Sequence, residues 1–104
     1  MKRKNLNKIP SEFQGILWSA NVRELDLEED KNYIIHQVLM YGSLEQIRWL
    51  FRTYKKEEIK KVFIENPVPI YTKPIFYFIK NIILNLKKKL DEKKYIKNII
   101  GPFR

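Results

Sequence analysis

The chain has 104 residues, enough for one domain with a sizeable core, and its 44% hydrophobic content is ordinary for a globular protein. It contains no cysteine and one histidine, which excludes disulfides and thiolate chemistry and argues against a zinc or iron site. The net charge of +9 favours partners with negative charge, either nucleic acid or an acidic protein surface.

The positive charge is concentrated at the two ends of the chain. Residues 1–8 carry four basic side chains, and residues 67–104 carry nine basic and two acidic ones. Residues 9–66 between them carry eight basic and ten acidic side chains. Basic ends can attract phosphates or an acidic protein, and they can equally reflect codon bias toward lysine, isoleucine and asparagine. Both interpretations stay open.

The N-terminal region is predicted to contain a mobile arm and a short helix. Residues 1–8 are basic and offer little apolar surface, which is typical of a mobile arm. Pro10 suits an early helical position because that N–H would have no intrahelical partner. Phe13, Ile16 and Leu17 follow at the spacing of one helical face. We therefore expect a short N-terminal helix.

Capping signals predict the first two main helices. Asp26 is expected to cap the first helix, with further acidic residues at the positive end of its dipole. Gly42 is expected to end this helix as a left-handed residue, and Ser43 with Gln46 forms a capping box for the second. The predicted buried face of the second helix consists of Leu44, Ile47, Leu50, Phe51 and Tyr54.

Two further main helices are predicted on either side of a proline-containing linker. Ile59, Val62 and Phe63 give the third helix its apolar face, and the linker follows at residues 67–74. A fourth helix is predicted to begin at Pro74 and to end at Lys87, Lys88 and Lys89, at the negative end of its dipole. It is apolar on most of its surface, which is typical of a central helix or of one that keeps a face for a partner. The lysine-rich tail after it is compatible with one more helix.

These patterns predict an all-α fold. We expect a compact bundle of four main helices, with the short N-terminal helix and a candidate C-terminal tail helix. The whole chain, residues 1–104, is predicted to form a single helical domain. Within it, residues 9–66 are the helical scaffold, and residues 75–104 are the apolar helix and basic tail.

The sequence predicts a cytoplasmic protein without membrane contact. The longest apolar stretch, residues 75–86, spans roughly 18 Å as a helix, whereas a bilayer core is about 30 Å thick. The basic start of the chain is not followed by the apolar run of a secretory signal.

We expect no enzymatic activity, no metal and no cofactor, because no nucleophile–base pair, phosphate loop or ligand set is recognisable. His36 could act as a general base or pH switch, but a partly exposed structural histidine is favoured. The acidic residues between Glu24 and Asp30 lack the spacing of a calcium loop and are favoured as charges at a helix start.

The hairpin around Gly42 could also be a DNA-reading helix-turn-helix, which commonly has a short turn containing glycine. The acidic body of the chain and the apolar run Trp49–Phe51 favour a hairpin that is simply part of the core. If the hairpin and the basic arm do bind DNA, the candidate contacts are Lys2, Arg3, Lys4, Arg48, Arg52, Lys55 and Lys56.

The run VLMYGSLEQIRWLFRTY, from Val38 to Tyr54, is fairly specific in combination with the basic and acidic helix that follows it. Other residues extend the pattern: Ile9, Pro10, Phe13, Leu17, Trp18, Tyr33, Ile34, Ile35 and Ile59. From Ile9 to about Phe78 the chain resembles a family of small bacterial helical proteins of undefined function. Members of that family are commonly encoded beside AbiEii-type nucleotidyltransferase toxins.

The resemblance implies an antitoxin-like, non-enzymatic partner of a nucleotidyltransferase-type toxin. The alternative function is a DNA-binding transcriptional regulator that uses the hairpin and the basic termini. For the first function, the apolar fourth helix and the basic tail are the predicted partner-binding surface, formed by Ile75, Phe76, Phe78, Ile79, Ile83, Lys87, Lys88, Lys89, Lys93 and Lys94.

Overall fold

A computed structural model of the chain describes residues 9–97. Its four α-helices are α1 (Lys31–Tyr41), α2 (Leu44–Thr53), α3 (Lys56–Glu65) and α4 (Lys73–Phe78). No β-strand occurs in residues 9–97, so the all-α prediction is confirmed. The predicted basic arm at residues 1–8 and the end of the predicted tail helix at residues 98–104 lie outside the described residues.

The chain divides into two compact units, Met1–Tyr54 and Lys55–Arg104. The single-domain organisation stays a prediction. In the part of the chain that the structure describes, no helix is long and apolar enough to cross a membrane.

The first unit begins with a short 3-10 helix, Ser11–Gly15, where the sequence predicted a short helix. Phe13 is 2% exposed, and its ring centroid lies 4.7 Å from that of Trp49. The buried Gln37 amide donates a hydrogen bond of 2.7 Å to the carbonyl of Ile16. These contacts hold the N-terminal segment on α1 and α2.

The acidic residues before α1 accept hydrogen bonds from the turn that leads into the helix. Asp26 Oδ1 accepts from the N–H groups of Glu28 and Glu29 at 2.7 and 2.9 Å. Asp30 Oδ2 accepts from the N–H of Asp26 at 2.8 Å. Because Asp26 caps this turn and not the helix itself, α1 begins later than predicted, at Lys31.

Helix α1 is buried along one continuous run, residues 34–39. His36 is only 1% exposed, so the prediction of a partly exposed histidine was wrong. The side chain sits among apolar neighbours in sequence, and the helix is covered on more than one side.

Gly42 follows the last residue of α1. Close packing, and not a left-handed backbone conformation, explains why this residue is glycine. Its φ of −78° and ψ of 157° are extended, so the predicted left-handed cap was wrong. A Cβ at this position would lie 2.6 Å from the carbonyl oxygen of Val38, which is too close. Glycine is therefore required because the backbone of α1 passes directly beside it.

Helix α2 begins with the predicted capping box. The N–H of Gln46 donates to Ser43 Oγ at 3.2 Å, and the N–H of Ser43 donates to Gln46 Oε1 at 2.9 Å. Ile47 and Leu50 are buried as predicted, but Leu44 is 64% exposed. Leu44 occupies the first position of the helix, where the chain has just left the turn, and this end is not covered.

The second unit is built around α3 and the tail. Ile59, Val62 and Phe63 form the buried face of α3, as predicted. The predicted tail helix is reduced to a 3-10 turn, Glu92–Lys94, within residues 9–97. After this turn the tail pairs with Tyr71 through two backbone hydrogen bonds and does not continue as a helix. The Tyr71 N–H donates to the Tyr95 carbonyl, and the Tyr71 carbonyl accepts from the Lys97 N–H, both at 2.9 Å.

Helix α4 is shorter than predicted and continues as a π-helical turn, Ile79–Ile83. The N–H of Leu84 donates to the carbonyl of Ile79 at 2.8 Å, a spacing of five residues. This wider turn allows Ile79 and Leu84 to be buried together. Asn85, with a φ of 50°, then reverses the chain, so the lysines at 87–89 follow the helix and do not form its last turn.

The Gly42 geometry predicts that Gly42→Ala lowers the free energy of unfolding by about 1–3 kcal/mol, because the new methyl group meets fixed backbone. Gly15→Ala is the matched control, since nothing lies within 4 Å of a Cβ there. It should be neutral or stabilise by about 0.4–1 kcal/mol. Urea unfolding of both variants measures the difference, and equal midpoints would contradict this account of Gly42.

Candidate protein-binding surface

The inner side of α4 belongs to an aromatic core in the second unit. Phe76 stacks on Phe63 with ring centroids 6.0 Å apart and lies 4.9 Å from Tyr95. Tyr71 meets Phe63 edge to face at 5.6 Å. The Tyr95 hydroxyl donates to the carbonyl of Phe63 at 2.5 Å, which satisfies a polar group that is otherwise buried. These rings fix which side of α4 faces inward.

The outer side of α4 and its π-helical turn exposes large apolar side chains. Phe78 is 39% exposed and Ile82, four residues later, is 66% exposed. Ile75, three residues before Phe78, is partly exposed. We call Ile75, Phe78 and Ile82 the apolar stripe. Water covers this stripe in the isolated chain, which is unfavourable for side chains of this size.

The structure narrows the predicted partner-binding set. Phe76 and Ile79 are 0% and 1% exposed, so they belong to the core and cannot reach a partner. Ile83 is partly exposed. Ile82 was absent from the predicted set although it is the most exposed residue of the stripe. The sequence signal for it was its spacing of four residues from Phe78, but apolar residues all around the helix obscured that signal.

The predicted lysines of the tail, residues 87–89, 93 and 94, are all exposed in the same unit as the apolar stripe. Glu92 fixes the course of this segment. Its Oε2 accepts a short hydrogen bond from the Tyr77 hydroxyl, and its Oε1 lies 4.0 Å from Lys73 Nζ. The hydrogen bond to Glu92, followed by burial, raises the pKa of Tyr77 above 10.0.

Four of the candidate nucleic-acid contacts lie in the described part of the chain, and all four are exposed. Arg48 and Arg52 lie on the outer face of α2, and Arg48 pairs with Glu45 at 3.1 Å. Lys55 and Lys56 are exposed at the start of α3. Lys2, Arg3 and Lys4 lie outside the described residues.

His36 is buried in α1, and the acidic run lies in the turn before that helix. Across residues 9–97 no group of three or more His, Asp or Glu side chains could hold a metal ion. The carboxylates of Asp26 and Asp30 accept backbone hydrogen bonds in the turn before α1.

Part of the chain is similar to one family of proteins. Residues 13–63 match the model of a family of unknown function, DUF6922. No curated protein matches the chain. No solved structure matches it either.

The aromatic core predicts a loss of stability at alkaline pH. Burial, and to a lesser extent the neighbouring Tyr95, raises the pKa of Tyr71 well above 10.0, and burial also raises the pKa of Tyr95. Above about pH 10 the unfolded chain loses these protons while the folded chain keeps them. The free energy of unfolding should therefore be unaffected by these groups below about pH 10 and fall above it, by at most about 1.4 kcal/mol per pH unit for each phenol.

Urea unfolding at a series of alkaline pH values measures this slope. A Tyr71→Phe variant keeps the ring and removes one of the two phenols, so its stability should fall less steeply. Parallel slopes for the variant and the natural chain would contradict the assignment.

Proposed function

We propose that this chain is an antitoxin-like, non-enzymatic protein that binds a nucleotidyltransferase-type toxin. The observation that carries the proposal is the apolar stripe, above all the 39% exposure of Phe78 and the 66% exposure of Ile82. Large apolar residues on one exposed face of a helix are typical of helix-in-groove recognition.

The net positive charge of the second unit favours an acidic partner. Residues 67–104 carry nine basic and two acidic side chains, and those at 87–89, 93 and 94 are exposed. A partner with an apolar groove in an acidic surface would bind both the apolar stripe and the exposed lysines. Apolar anchors then supply most of the binding energy, while the lysines accelerate association and favour partners of the right charge.

The nature of the partner is supported by resemblance. The segment from Val38 to Tyr54 resembles small bacterial proteins that are commonly encoded beside AbiEii-type nucleotidyltransferase toxins. We propose on this basis a bacterial, cytoplasmic protein whose partner is encoded by the neighbouring gene. By covering the toxin near its nucleotide site, the second unit would block entry of the substrate.

The second candidate function is a DNA-binding regulator. It is supported by the exposure of Arg48, Arg52, Lys55 and Lys56. Against it, Glu45 neutralises Arg48 at 3.1 Å. Fluorescence anisotropy with a DNA duplex at two salt concentrations separates the functions, because binding through phosphates weakens steeply as salt rises.

The toxin proposal is tested with the double variant Phe78→Ser and Ile82→Ser. Both side chains are exposed, so the fold should survive, and loss of two apolar anchors should raise the Kd for the neighbouring gene product by about a hundredfold or more. Calorimetric titration of purified proteins measures the change.

Leu44→Ser is the matched control, because Leu44 is 64% exposed but lies on α2 in the first unit. It should change the Kd by less than about twofold. No complex between the natural chain and the neighbouring gene product would reject the proposed function, and equal effects of the two variants would reject the apolar stripe as its surface.

A further inference from the structure

A cleft of about 410 Å³ opens in the second unit between the end of α4 and the tail. Lys80 lines the cleft from the helix side, and Lys87 and Lys89 line it from the tail. The remaining lining residues are Tyr77, Leu90, Asp91 and Glu92. A cleft of this size falls in the range of small-molecule sites, which is about 300–1,000 Å³.

The two carboxylates of the cleft already have partners within the protein. Glu92 accepts from the Tyr77 hydroxyl through one oxygen, and its other oxygen lies 4.0 Å from Lys73 Nζ. Asp91 Oδ1 accepts from the backbone N–H of Lys93 at 3.0 Å. Each carboxylate of the lining therefore has a hydrogen-bond donor within the protein, and its negative charge is retained.

The ammonium groups are less fully engaged. Lys80 Nζ donates to the Leu86 carbonyl at 3.4 Å and to Asn81 Oδ1 at 3.3 Å, which leaves one of its three donors available. Lys87 and Lys89 form no ion pair with any carboxylate in residues 9–97. Cations that share a concavity repel one another, so an anion placed among them would be favoured.

The backbone holds these groups in place. Asn85 adopts a left-handed φ of 50°, and the N–H of Leu86 then donates to the Lys80 carbonyl at 2.8 Å. This reversal returns the chain along the side of α4. The hydrogen bond between Tyr77 and Glu92 fixes the far end of the cleft. The cations are thus carried by a segment that is attached at both ends.

We propose that this cleft binds a small molecule that carries two or more linked phosphates. Lysine is a point-charge binder of phosphate, and three lysines around one cleft suit a phosphate chain better than a single phosphate group. Leu90 and the Tyr77 ring provide surface for an organic part of such a ligand. The proposal does not depend on the toxin partner, because it concerns the isolated chain.

The test is calorimetric titration of the purified full-length chain with inorganic triphosphate and, separately, with a nucleoside triphosphate. Binding of both with equal affinity assigns recognition to the phosphate chain alone. Tighter binding of the nucleoside triphosphate adds a contact of its organic part with Tyr77 or Leu90. Either result supports the proposal.

Three variants locate the site. Lys87→Gln and Lys89→Gln should each weaken binding by about tenfold or more, the usual effect of losing one charge-assisted contact. Lys88→Gln is the matched control, because Lys88 is equally exposed but does not line the cleft, and it should have a much smaller effect. Asp91→Asn keeps an acceptor for the Lys93 N–H and removes a negative charge, so it should tighten binding.

Three results would overturn the proposal. The first is absence of binding of either triphosphate at millimolar concentration and low salt. The second is an equal loss of affinity in the Lys88→Gln and Lys87→Gln variants, since that would indicate a diffuse attraction to the tail. The third is binding of a single-stranded oligonucleotide without binding of free triphosphate, which would assign the lysines to a nucleic-acid surface.

Discussion

The pairing of Tyr71 with the tail is the constraint on which the second unit depends. Two backbone hydrogen bonds of 2.9 Å join Tyr71 to Tyr95 and Lys97, and the Tyr95 ring then lies in the aromatic core. Its hydroxyl must find an acceptor there, and it finds the carbonyl of Phe63 at 2.5 Å. Because Tyr95 is buried among these rings, it anchors the tail to the core, while the lysines on either side of it stay exposed. The lysines that precede Tyr95 are consequently held near α4.

Because the tail pairs with Tyr71 and packs on the aromatic core, the two sides of α4 have different surroundings. The inner side fills the space among Phe63, Tyr71 and Tyr95, while the outer side keeps Phe78 and Ile82 in contact with water. The π-helical turn contributes to this division, because hydrogen bonding over five residues allows both Ile79 and Leu84 to face inward. An apolar stripe and a basic cleft therefore occur in the same small unit. The stripe and the cleft share no residue, but Lys87 and Lys89 of the cleft also belong to the proposed partner-binding surface.

The features that could be predicted from sequence are those determined by near neighbours. The capping box of Ser43 and Gln46 spans three residues, and the apolar face of α3 spans one helical turn and a half. The features that were missed depend on distant residues or on three-dimensional crowding. The Tyr95–Phe63 hydrogen bond joins positions 32 residues apart, and the backbone pairing of Tyr71 with Tyr95 and Lys97 takes the place of the predicted helix up to residue 97. The role of Gly42 depends on the position of the Val38 carbonyl, which no local pattern encodes.

The segment that matches the family of unknown function does not include either of the two candidate binding surfaces. It covers residues 13–63 and so includes α1, α2 and most of α3, but it ends before the aromatic core is complete. The apolar stripe and the cleft both lie beyond it. Within the matched segment, Trp18 is 57% exposed, and its ring centroid lies 4.8 Å from that of Tyr41. The proposed binding through Phe78 and Ile82 would instead be a property of the second unit, so resemblance within the matched segment cannot by itself explain it.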